Sequence, residues 1–357
     1  MRSYFPISKN IISAADLMNN NTFLSTMDRK LDEVLGGGIK TGILTEFVGE
    51  SSAGKTQMCF QLALAAQLPK FMGGLDGDVA YILTEEKFSV KRMKHLIPNF
   101  FDRVGATTHI KNEMIKRGLD PISCSNDSAI SDYALGKIHI RLFLHEKQLT
   151  FGLIHQLPKF VADNNIKLVI IDSIAALMRF QLDETDDNPN SDDINLHNPN
   201  YTKSNAPLTS SSKSWFNERD SKLLLISKSL KNIAYQNNCA VICVNQVTDN
   251  FSLDQLYLYQ EPQNNLPSKP FISKPNYLKK VAVLGKHWAS SVNTRLFFHL
   301  MRSSHNMLRS NDQNNGTSFQ LANHNTKNKR WIEGTNIPWK KPTICEFEID
   351  NSGIRSL

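Results

Sequence analysis

Residues 42–56 read Gly-Ile-Leu-Thr-Glu-Phe-Val-Gly-Glu-Ser-Ser-Ala-Gly-Lys-Thr. Residues 42–48 form a largely apolar run that is typical of a β-strand, and a helix-like pattern covers residues 55–68. Between them the chain satisfies G-x-x-x-x-G-K-[ST], a pattern that works where a strand turns into a helix. Its glycines let backbone N–H groups face a phosphate, and the helix N-terminus adds partial positive charge there. The stretch therefore predicts a phosphate-binding loop; the alternative is a surface turn that contains Gly and Lys.

Further strand candidates follow this loop, and helix-like segments separate most of them. They span residues 79–83, 137–143, 168–172 and 239–244. The last two are almost continuously apolar, which indicates central strands of a parallel sheet covered on both faces. Before the last strand, one buried helix face is predicted by the spacing of Leu223, Ile226, Leu230 and Ala234. The alternation predicts an α/β fold with a mostly parallel central sheet flanked by helices, and a ligand site at the carboxyl ends of the strands.

The C-terminal part of the chain departs from this alternation. Residues 294–300, 329–332 and 343–349 look like strands with no helix between them, which predicts antiparallel C-terminal strands. Residues 183–214 and 307–329 are rich in Asn and Ser and have almost no apolar period, so we expect mobile surface insertions. We therefore divide the chain into an N-terminal segment, residues 1–30, and one domain, residues 31–357, that carries both insertions.

Composition and charge limit the class of protein to which this chain can belong. Hydrophobic residues make up 40% of the 357 residues and charged residues 21%, as in an ordinary globular protein. No apolar run approaches the roughly 20 residues that span a bilayer. Residues 1–10 lack the apolar core of a secretory signal, so we expect an intracellular protein without a membrane role. Five scattered cysteines favour packed thiols over zinc or disulfides. The net charge of +7 favours a polyanionic partner, although many basic proteins bind no nucleic acid.

The loop and its surroundings supply the groups that ATP and magnesium require. We expect nucleotide contacts from Gly49, Glu50, Ser51, Ser52, Ala53, Gly54, Lys55, Thr56 and Gln57. Lys55 should reach the β- and γ-phosphates, and the Thr56 hydroxyl should ligate magnesium, which keeps several waters. Asp172 ends an apolar strand and is our choice for the carboxylate that holds the metal, partly through water. Taken alone, an Asp at that place is equally explained as a helix N-cap.

Two polar strand ends are candidates for catalysis. Hydrolysis requires a group that orients or deprotonates water, and Glu85 lies just after the strand candidate at residues 79–83. Glu86 is the reserve candidate, and the alternative is a solvated acidic turn. Gln246 follows the strand at residues 239–244, where an amide can sense the γ-phosphate and couple it to the next loop. The alternative for Gln246 is a structural cap of that loop.

The order of these motifs resembles the RecA superfamily of ATPases, and more closely the eukaryotic strand-exchange recombinases and their paralogs. The matching segments are residues 41–57, Gln67-Leu-Pro69, Tyr81-Ile-Leu-Thr-Glu85, Val169-Ile-Ile-Asp-Ser-Ile-Ala-Ala-Leu177 and Val244-Asn-Gln-Val247. Three further features are similar to the X-ray-repair cross-complementing type of paralog: the Glu-Ser-Ser-Ala of the loop, Thr84-Glu85 followed by Phe88 and Lys91-Arg92, and Leu284-Gly285 before Trp288-Ala289. The resemblance covers residues 31–300 well and 329–354 loosely, and it implies a RecA-type P-loop ATPase core.

The sequence departs from the family pattern in several places. Only 41 residues precede Gly42, so we expect the small N-terminal helical domain of the recombinases to be absent or vestigial, and we do not expect independent duplex binding. Family members dock on a neighbouring subunit through F-x-x-A, and the nearest match is Ile11-Ile-Ser-Ala14; an ordinary apolar segment is the alternative. In the recombinases a neighbouring subunit caps ATP with an acidic residue that precedes a proline. Near Pro338 this chain has Asn336, so that role is unassigned.

In the family, two loops touch single-stranded DNA, and their counterparts here are residues 179–222 and 247–280. The first is rich in Asp and Glu, so we expect only its end, with Arg219 and Lys222, to lie near a DNA backbone. The second offers Lys279 and Lys280 among lysines and aromatics, a composition that suits sequence-tolerant binding by charge and stacking. The alternative for all of these basic residues is that they are solvated charges on surface loops.

The resemblance implies an ATP-dependent DNA repair protein of the nucleus that assists recombinase filament assembly or stability on single-stranded DNA in homologous recombination. The implied partners are a recombinase, a sister recombinase paralog, or both, and the implied ATPase is weak and stimulated by DNA. Rival hypotheses are a strand-exchange recombinase that forms its own filament, a non-catalytic assembly subunit that uses ATP as an interface staple, and a RecA-like ATPase outside DNA metabolism.

Overall fold

The computed structural model describes residues 22–85, 88–122, 124, 126–178, 210–249, 280–302 and 328–357. Side chains are described throughout that set except at residues 210–217 and 249. Most of both predicted insertions, the docking segment at residues 11–14, Glu86 and Lys279 lie outside the described residues. What the sequence predicts for those parts therefore stays a prediction.

Strands and helices alternate from the phosphate-binding loop onward. The strands are β1 (Phe23–Leu24), β2 (Ile39–Lys40), β3 (Leu44–Gly49), β4 (Asp78–Leu83), β5 (Ile138–Leu142), β6 (Ile166–Asp172), β7 (Ala240–Asn245), β8 (Val247–Asp249), β9 (Lys280–Ala282), β10 (Thr294–Met301), β11 (Lys329–Asn336), β12 (Ile344–Asp350) and β13 (Gly353–Ser356). The helices are α1 (Arg29–Leu35), α2 (Lys55–Ala65), α3 (Val90–Arg103), α4 (Thr107–Lys116), α5 (Asp127–Gly136), α6 (Glu146–Phe151), α7 (Leu157–Asp163), α8 (Ile174–Met178), α9 (Ser210–Asn237) and α10 (Gly285–Ser291). A π-helical turn, Gly152–Gln156, joins α6 to α7.

Every strand predicted from the sequence is present, with small shifts at most ends. The largest difference is β11, which continues to Asn336. The helix predicted to reach residue 68 ends at Ala65, because the next residues form a turn in which the Gln67 side chain donates to the Ala63 carbonyl. The short β13 was not predicted, since Gly353–Ser356 is too brief to show a period.

Nine strands form one sheet in the order β13-β12-β11-β10-β3-β7-β6-β4-β5. The strands from β3 to β5 in this order are mutually parallel, and β11, β12 and β13 continue from β10 in antiparallel pairs. The predicted fold class is therefore confirmed, with one correction: β10 runs parallel to β3. Since α10 precedes β10 and carries the chain back across the sheet, β10 can enter in the same direction as β3.

The parallel order brings the predicted site residues to one edge of the sheet. The register pairs Val48 of β3 with Asn245 of β7, and Leu83 of β4 with Asp172 of β6. All four of these strands end there, and parallel strands point their carboxyl ends in the same direction. The phosphate-binding loop, Glu85, Asp172 and Gln246 are consequently neighbours.

Two sets of buried side chains cover the two faces of the sheet. In β6, Leu168 and Ile170 face the set that includes α2 to α5, whereas Val169 and Ile171 face the set that includes α7, α9 and α10. A polar side chain on such a strand would be buried whichever way it pointed, which costs free energy unless it is paired. This explains the continuous apolar run in the sequence.

The cysteines and the apolar character of the helices bear on the class of protein. All five cysteines are buried and have free thiols, as the prediction of packed thiols requires. Within the described ranges, no helix combines the length and apolar character that a membrane span needs.

Candidate nucleotide-binding site

The loop between β3 and α2 is built around two glycines. A Cβ placed on Gly49 would lie 2.3 Å from the backbone oxygen of Phe298, so β3 can pass that close to β10 only with glycine at this point. Gly54, just before α2, has φ of 111°, a conformation that side-chain-bearing residues rarely adopt. The chain therefore turns sharply from the end of β3 into the first turn of α2.

Lys55 begins α2 and folds back over the loop. Its ammonium donates to the carbonyl oxygens of Gly49 and Glu50, at 2.8 and 2.7 Å, and only 8% of the residue is exposed. Burial lowers the pKa of this ammonium, and the negative charge of Asp172 partly opposes that shift. A desolvated cation at a helix N-terminus is a strong partner for an anionic ligand.

Asp172 lies at the end of β6 opposite the start of α2. Its Oδ2 accepts hydrogen bonds from the Thr56 hydroxyl at 2.8 Å and from the Tyr81 hydroxyl at 3.0 Å. Burial raises the pKa of the Asp172 carboxyl, and these two hydrogen bonds oppose the shift. The peptide bond from Asp172 to Ser173 is cis. The structure thus places the two predicted metal ligands, Thr56 and Asp172, side by side.

The two candidate catalytic residues also meet. Gln246 donates through Nε2 to Oε1 of Glu85 at 2.8 Å, and the Ser173 hydroxyl donates to the same oxygen at 3.3 Å. The Ser173 backbone N–H in turn donates to Oγ1 of Thr84, which fixes the end of β6 against the residue before Glu85. Glu85 is exposed, so water can reach its carboxylate.

A cavity of about 450 Å³ lies over these groups. Among the predicted residues it is lined by Gly49, Glu50, Ser51, Ser52, Gly54, Lys55, Thr56, Gln57, Glu85, Asp172 and Gln246. Ala53 does not line it and is fully buried in the core beneath the loop. Ile349, from β12, also lines the cavity and was not predicted.

Arg92 is a second residue that sequence reasoning did not assign to the site. From α3 it donates through Nε to the Gln57 side chain at 2.9 Å and through Nη2 to the Asp350 carbonyl at 2.7 Å. It lines an adjoining cavity of about 320 Å³ together with Phe60 and Phe88. The two cavities share Thr56, Gln57, Glu85 and Asp172. The sequence signal was the resemblance carried by Phe88 and Lys91-Arg92, which assigned Arg92 no role, because nothing in the spacing places Arg92 beside Gln57.

Three of the residues predicted to touch DNA, Arg219, Lys222 and Lys280, lie in the described part of the chain and have partners within the fold. Arg219 donates through Nη2 to the Leu284 carbonyl at 2.9 Å. Lys222 lies 2.8 Å from both Glu146 and Glu218, and Lys280 lies 2.6 Å from Glu50 of the phosphate-binding loop. Their DNA contacts stay a prediction, and the structure adds that Lys280 reaches the nucleotide site.

Sequence comparisons place the chain among known relatives. The Rad51 family model matches residues 19–119. A "DNA repair protein XRCC3 homolog" of Arabidopsis thaliana is 27% identical over 94% of this chain and 93% of its own length. The "DNA repair protein RAD51 homolog 2" of Homo sapiens is 30% identical over 79% of this chain, which spans 61% of that relative. The "DNA repair protein rhp57" of Schizosaccharomyces pombe is 30% identical over 77% of this chain and 68% of its own length.

Relatives carrying DNA repair names therefore align along most of this sequence. The matched residues 19–119 include the phosphate-binding loop and Glu85. On these grounds the chain belongs to the Rad51 family.

Proposed function

We propose that this chain is a recombinase paralog that binds ATP with magnesium and assists a recombinase on single-stranded DNA during recombinational DNA repair. One observation carries the proposal: the phosphate-binding loop, the Thr56–Asp172 pair and the Glu85–Gln246 pair meet at one edge of the parallel sheet. The DNA repair names of the relatives supply the biological setting.

The residues present fit a magnesium-bound triphosphate. The loop backbone and Lys55 provide the positive side of the site, and the Thr56 hydroxyl and Asp172 carboxylate provide oxygen ligands of the kind magnesium prefers. In the described part of the chain, no three or more His, Cys, Asp or Glu side chains lie close enough together to coordinate a metal ion. A site with two protein oxygens suits a cation whose other ligands are waters and phosphates. When bound, magnesium supplies charge that neutralises the phosphate oxygens.

We place the nucleobase in the cavity that adjoins the phosphate-binding loop. Arg92 and Phe88 line it, and Gln57 belongs to both cavities, so a ligand can extend from one to the other. A guanidinium plane and an aromatic ring are suitable surfaces for stacking a purine.

Glu85 is the group that we assign to water activation. Its Oε1 accepts from Gln246 and Ser173, and a carboxylate retains acceptor capacity for a further donor such as water. The amide of Gln246 holds Glu85 in place and lies at the root of the loop that begins after β7. Loss of the third phosphate would therefore alter the contacts of Gln246 and, through it, the position of the residues that follow β7. These are the residues where we propose the DNA contacts.

The partner docks, in our proposal, at the edge strand β5. In the described structure β5 pairs only with β4, and Ile140 and Leu142 are 44% and 41% exposed. A cavity of about 510 Å³ beside it is lined mainly by apolar residues that include Phe143 and Phe160, together with His139, Arg141 and Gln156. An unpaired edge next to an apolar cavity can accept an extended segment that carries a large apolar side chain. The partner is a recombinase or a sister paralog, and the complex acts in the nucleus.

The function is tested with Lys55→Ala, Lys55→Arg and Ile140→Lys variants of the full chain. Chains that co-purify from cells are identified by mass spectrometry, and ATP turnover is measured with and without single-stranded DNA. We expect wild type to capture Rad51-family chains, Ile140→Lys to lose them while keeping ATP binding, and Lys55→Ala to lose ATP binding by about 100-fold, as for a charge-assisted contact. Strand exchange by the purified chain alone, or DNA repair that survives both Lys55 substitutions, would contradict the proposal.

A further inference from the structure

Glu46 carries a fully buried carboxylate in the middle of β3, at 0% exposure. Its Oε1 accepts from Asn245 Nδ2 at 2.7 Å and from Trp288 Nε1 at 2.8 Å, and its Oε2 accepts from Arg295 Nε at 2.6 Å. Burying a charge in a sheet core is costly unless it is paired and hydrogen-bonded. Since an apolar residue would satisfy the packing more simply, the arrangement calls for a functional explanation.

In the chain, the three partners of Glu46 lie on both sides of residues 250–279. Asn245 is the last residue of β7, whereas Trp288 lies on α10 and Arg295 on β10. The segment between β8 and β9 lies between these positions in the chain. A single carboxylate therefore joins the strand that leads into this segment to the elements that follow it.

The same carboxylate is connected to the nucleotide site through Asn245. Asn245 uses Nδ2 for Glu46 and uses Oδ1 to accept from the Gln246 backbone N–H at 2.8 Å. Gln246 then donates from its side chain to Glu85. Because a carboxylate only accepts, Glu46 dictates which end of the Asn245 amide faces it, and thereby which end faces Gln246.

We propose that Glu46 is a positioning residue that holds Gln246, through Asn245, where it meets Glu85 and the third phosphate of the nucleotide. This inference rests on the proposed nucleotide function. Glu46 itself touches neither nucleotide nor DNA. Its effect is on the discrimination between ATP and ADP, which differ only in the phosphate that Gln246 and Glu85 face.

The test measures the affinities of the full chain for ATP and for ADP, each with magnesium, by calorimetry. One variant combines Glu46→Leu with Arg295→Leu, which replaces the ion pair by apolar side chains. A second, Asn245→Leu, keeps the ion pair and cuts the connection to Gln246. The matched control, Trp288→Phe, removes one donor from the same carboxylate but leaves the Asn245 bond.

Wild type should prefer ATP, and both the double variant and Asn245→Leu should lose about tenfold of that preference, the equivalent of about one hydrogen bond, with ADP affinity unchanged. Adding Asn245→Leu to the double variant should cause no further loss. Trp288→Phe should keep the wild-type ratio even if its melting temperature falls. If the double variant does not fold, the ATP-to-ADP affinity ratio of Asn245→Leu alone decides whether the inference holds.

An unchanged ATP-to-ADP ratio in Asn245→Leu, or an equal loss in Trp288→Phe, would overturn the inference. A wild-type protein that binds both nucleotides equally well would overturn it too. Wild type that binds neither nucleotide would instead refute the proposed function of the site, so the two failures are distinguishable.

Discussion

Gly49 is the glycine of the phosphate-binding loop at which an added Cβ atom would make the shortest contact. A Cβ there would meet the Phe298 backbone oxygen at 2.3 Å, and β3 lies between β10 and β7, so neither neighbour can yield easily. We expect Gly49→Ala to lower the free energy of unfolding by about 1–3 kcal/mol, as overpacking in a core does. Urea denaturation followed by circular dichroism measures the change.

Gly136 is the matched control for this substitution. It closes α5, and a Cβ there would meet nothing within 4 Å. Gly136→Ala should leave stability unchanged or raise it by about 0.5–1 kcal/mol, because alanine loses less backbone entropy than glycine in a helix. Equal effects at the two glycines would show that the contact with β10 is unimportant.

Asp32 provides a test of pH dependence outside the site. Burial raises the pKa of its carboxyl above the ordinary value of 3.8, and hydrogen bonds from Ser25 and Thr26 oppose the shift. The folded protein therefore binds this proton more tightly than the unfolded chain. The contribution of Asp32 to stability is then fully present below its unfolded pKa and is lost as pH rises through the raised folded pKa.

Asp32→Asn removes that titration while keeping the shape of the side chain. The free energy of unfolding of wild type minus that of the variant should fall as the pH rises above 3.8. Urea denaturation at a series of pH values gives this difference. A difference that stays constant, or that grows with pH, would contradict the raised pKa.

At the residue scale, the sequence alone identified candidate site residues only where they lie near the end of an apolar strand. Lys55, Asp172, Glu85 and Gln246 each lie just beyond or at the end of an apolar strand, which the sequence displays directly. Glu46 could not be recognised in this way, because its partner Arg295 lies 249 residues away and only the fold brings the two together. Ile349 and Arg92 were missed for the same reason.

At the scale of elements, β9 is joined to the phosphate-binding loop by one ion pair. Lys280 Nζ lies 2.6 Å from Glu50 Oε1, and both side chains are partly exposed. If the pair keeps the Glu50 charge away from the nucleotide phosphates, Lys280→Met should weaken ATP binding by about three- to fivefold, in the range of an exposed ion pair. Glu50→Gln should reverse that loss.

A double-mutant cycle measures this interaction. ATP affinity is determined for wild type, both single variants and the double variant, at low and at high salt, because exposed pairs are screened. We expect a coupling that shrinks as salt is added. Strictly additive single effects would mean that Lys280 and Glu50 act on the nucleotide independently.

The elements themselves were predictable to different degrees for a physical reason. The core strands β6 and β7 are buried on both faces, so their composition alone identified them. The direction of β10 was not evident, because it depends on the crossover by α10 rather than on the residues of the strand. β13 gave no signal because four residues are too few to show a period. The contacts that hold it, such as the hydrogen bond from the Ile354 N–H to the Gln61 side chain, join residues 293 positions apart.

At the scale of the whole molecule, the topology places four strand ends where a single ligand can touch all of them. β3 and β7 lie side by side, and β6 and β4 follow in the sheet order. The loop after β3 supplies positive groups, β6 supplies a carboxylate, and the ends of β4 and β7 supply the Glu85–Gln246 pair. The central claim is that this edge binds ATP with magnesium.

Calorimetry of the full chain with ATP in the presence and absence of magnesium tests that claim most directly, alone and with a captured Rad51-family partner. The account predicts one ATP per chain for wild type, tighter with magnesium, and a loss of about 100-fold in Lys55→Ala, whose circular dichroism spectrum should match that of wild type. Well-folded wild type that takes up no ATP under any of these conditions, or Lys55→Ala that binds ATP as wild type does, would contradict it.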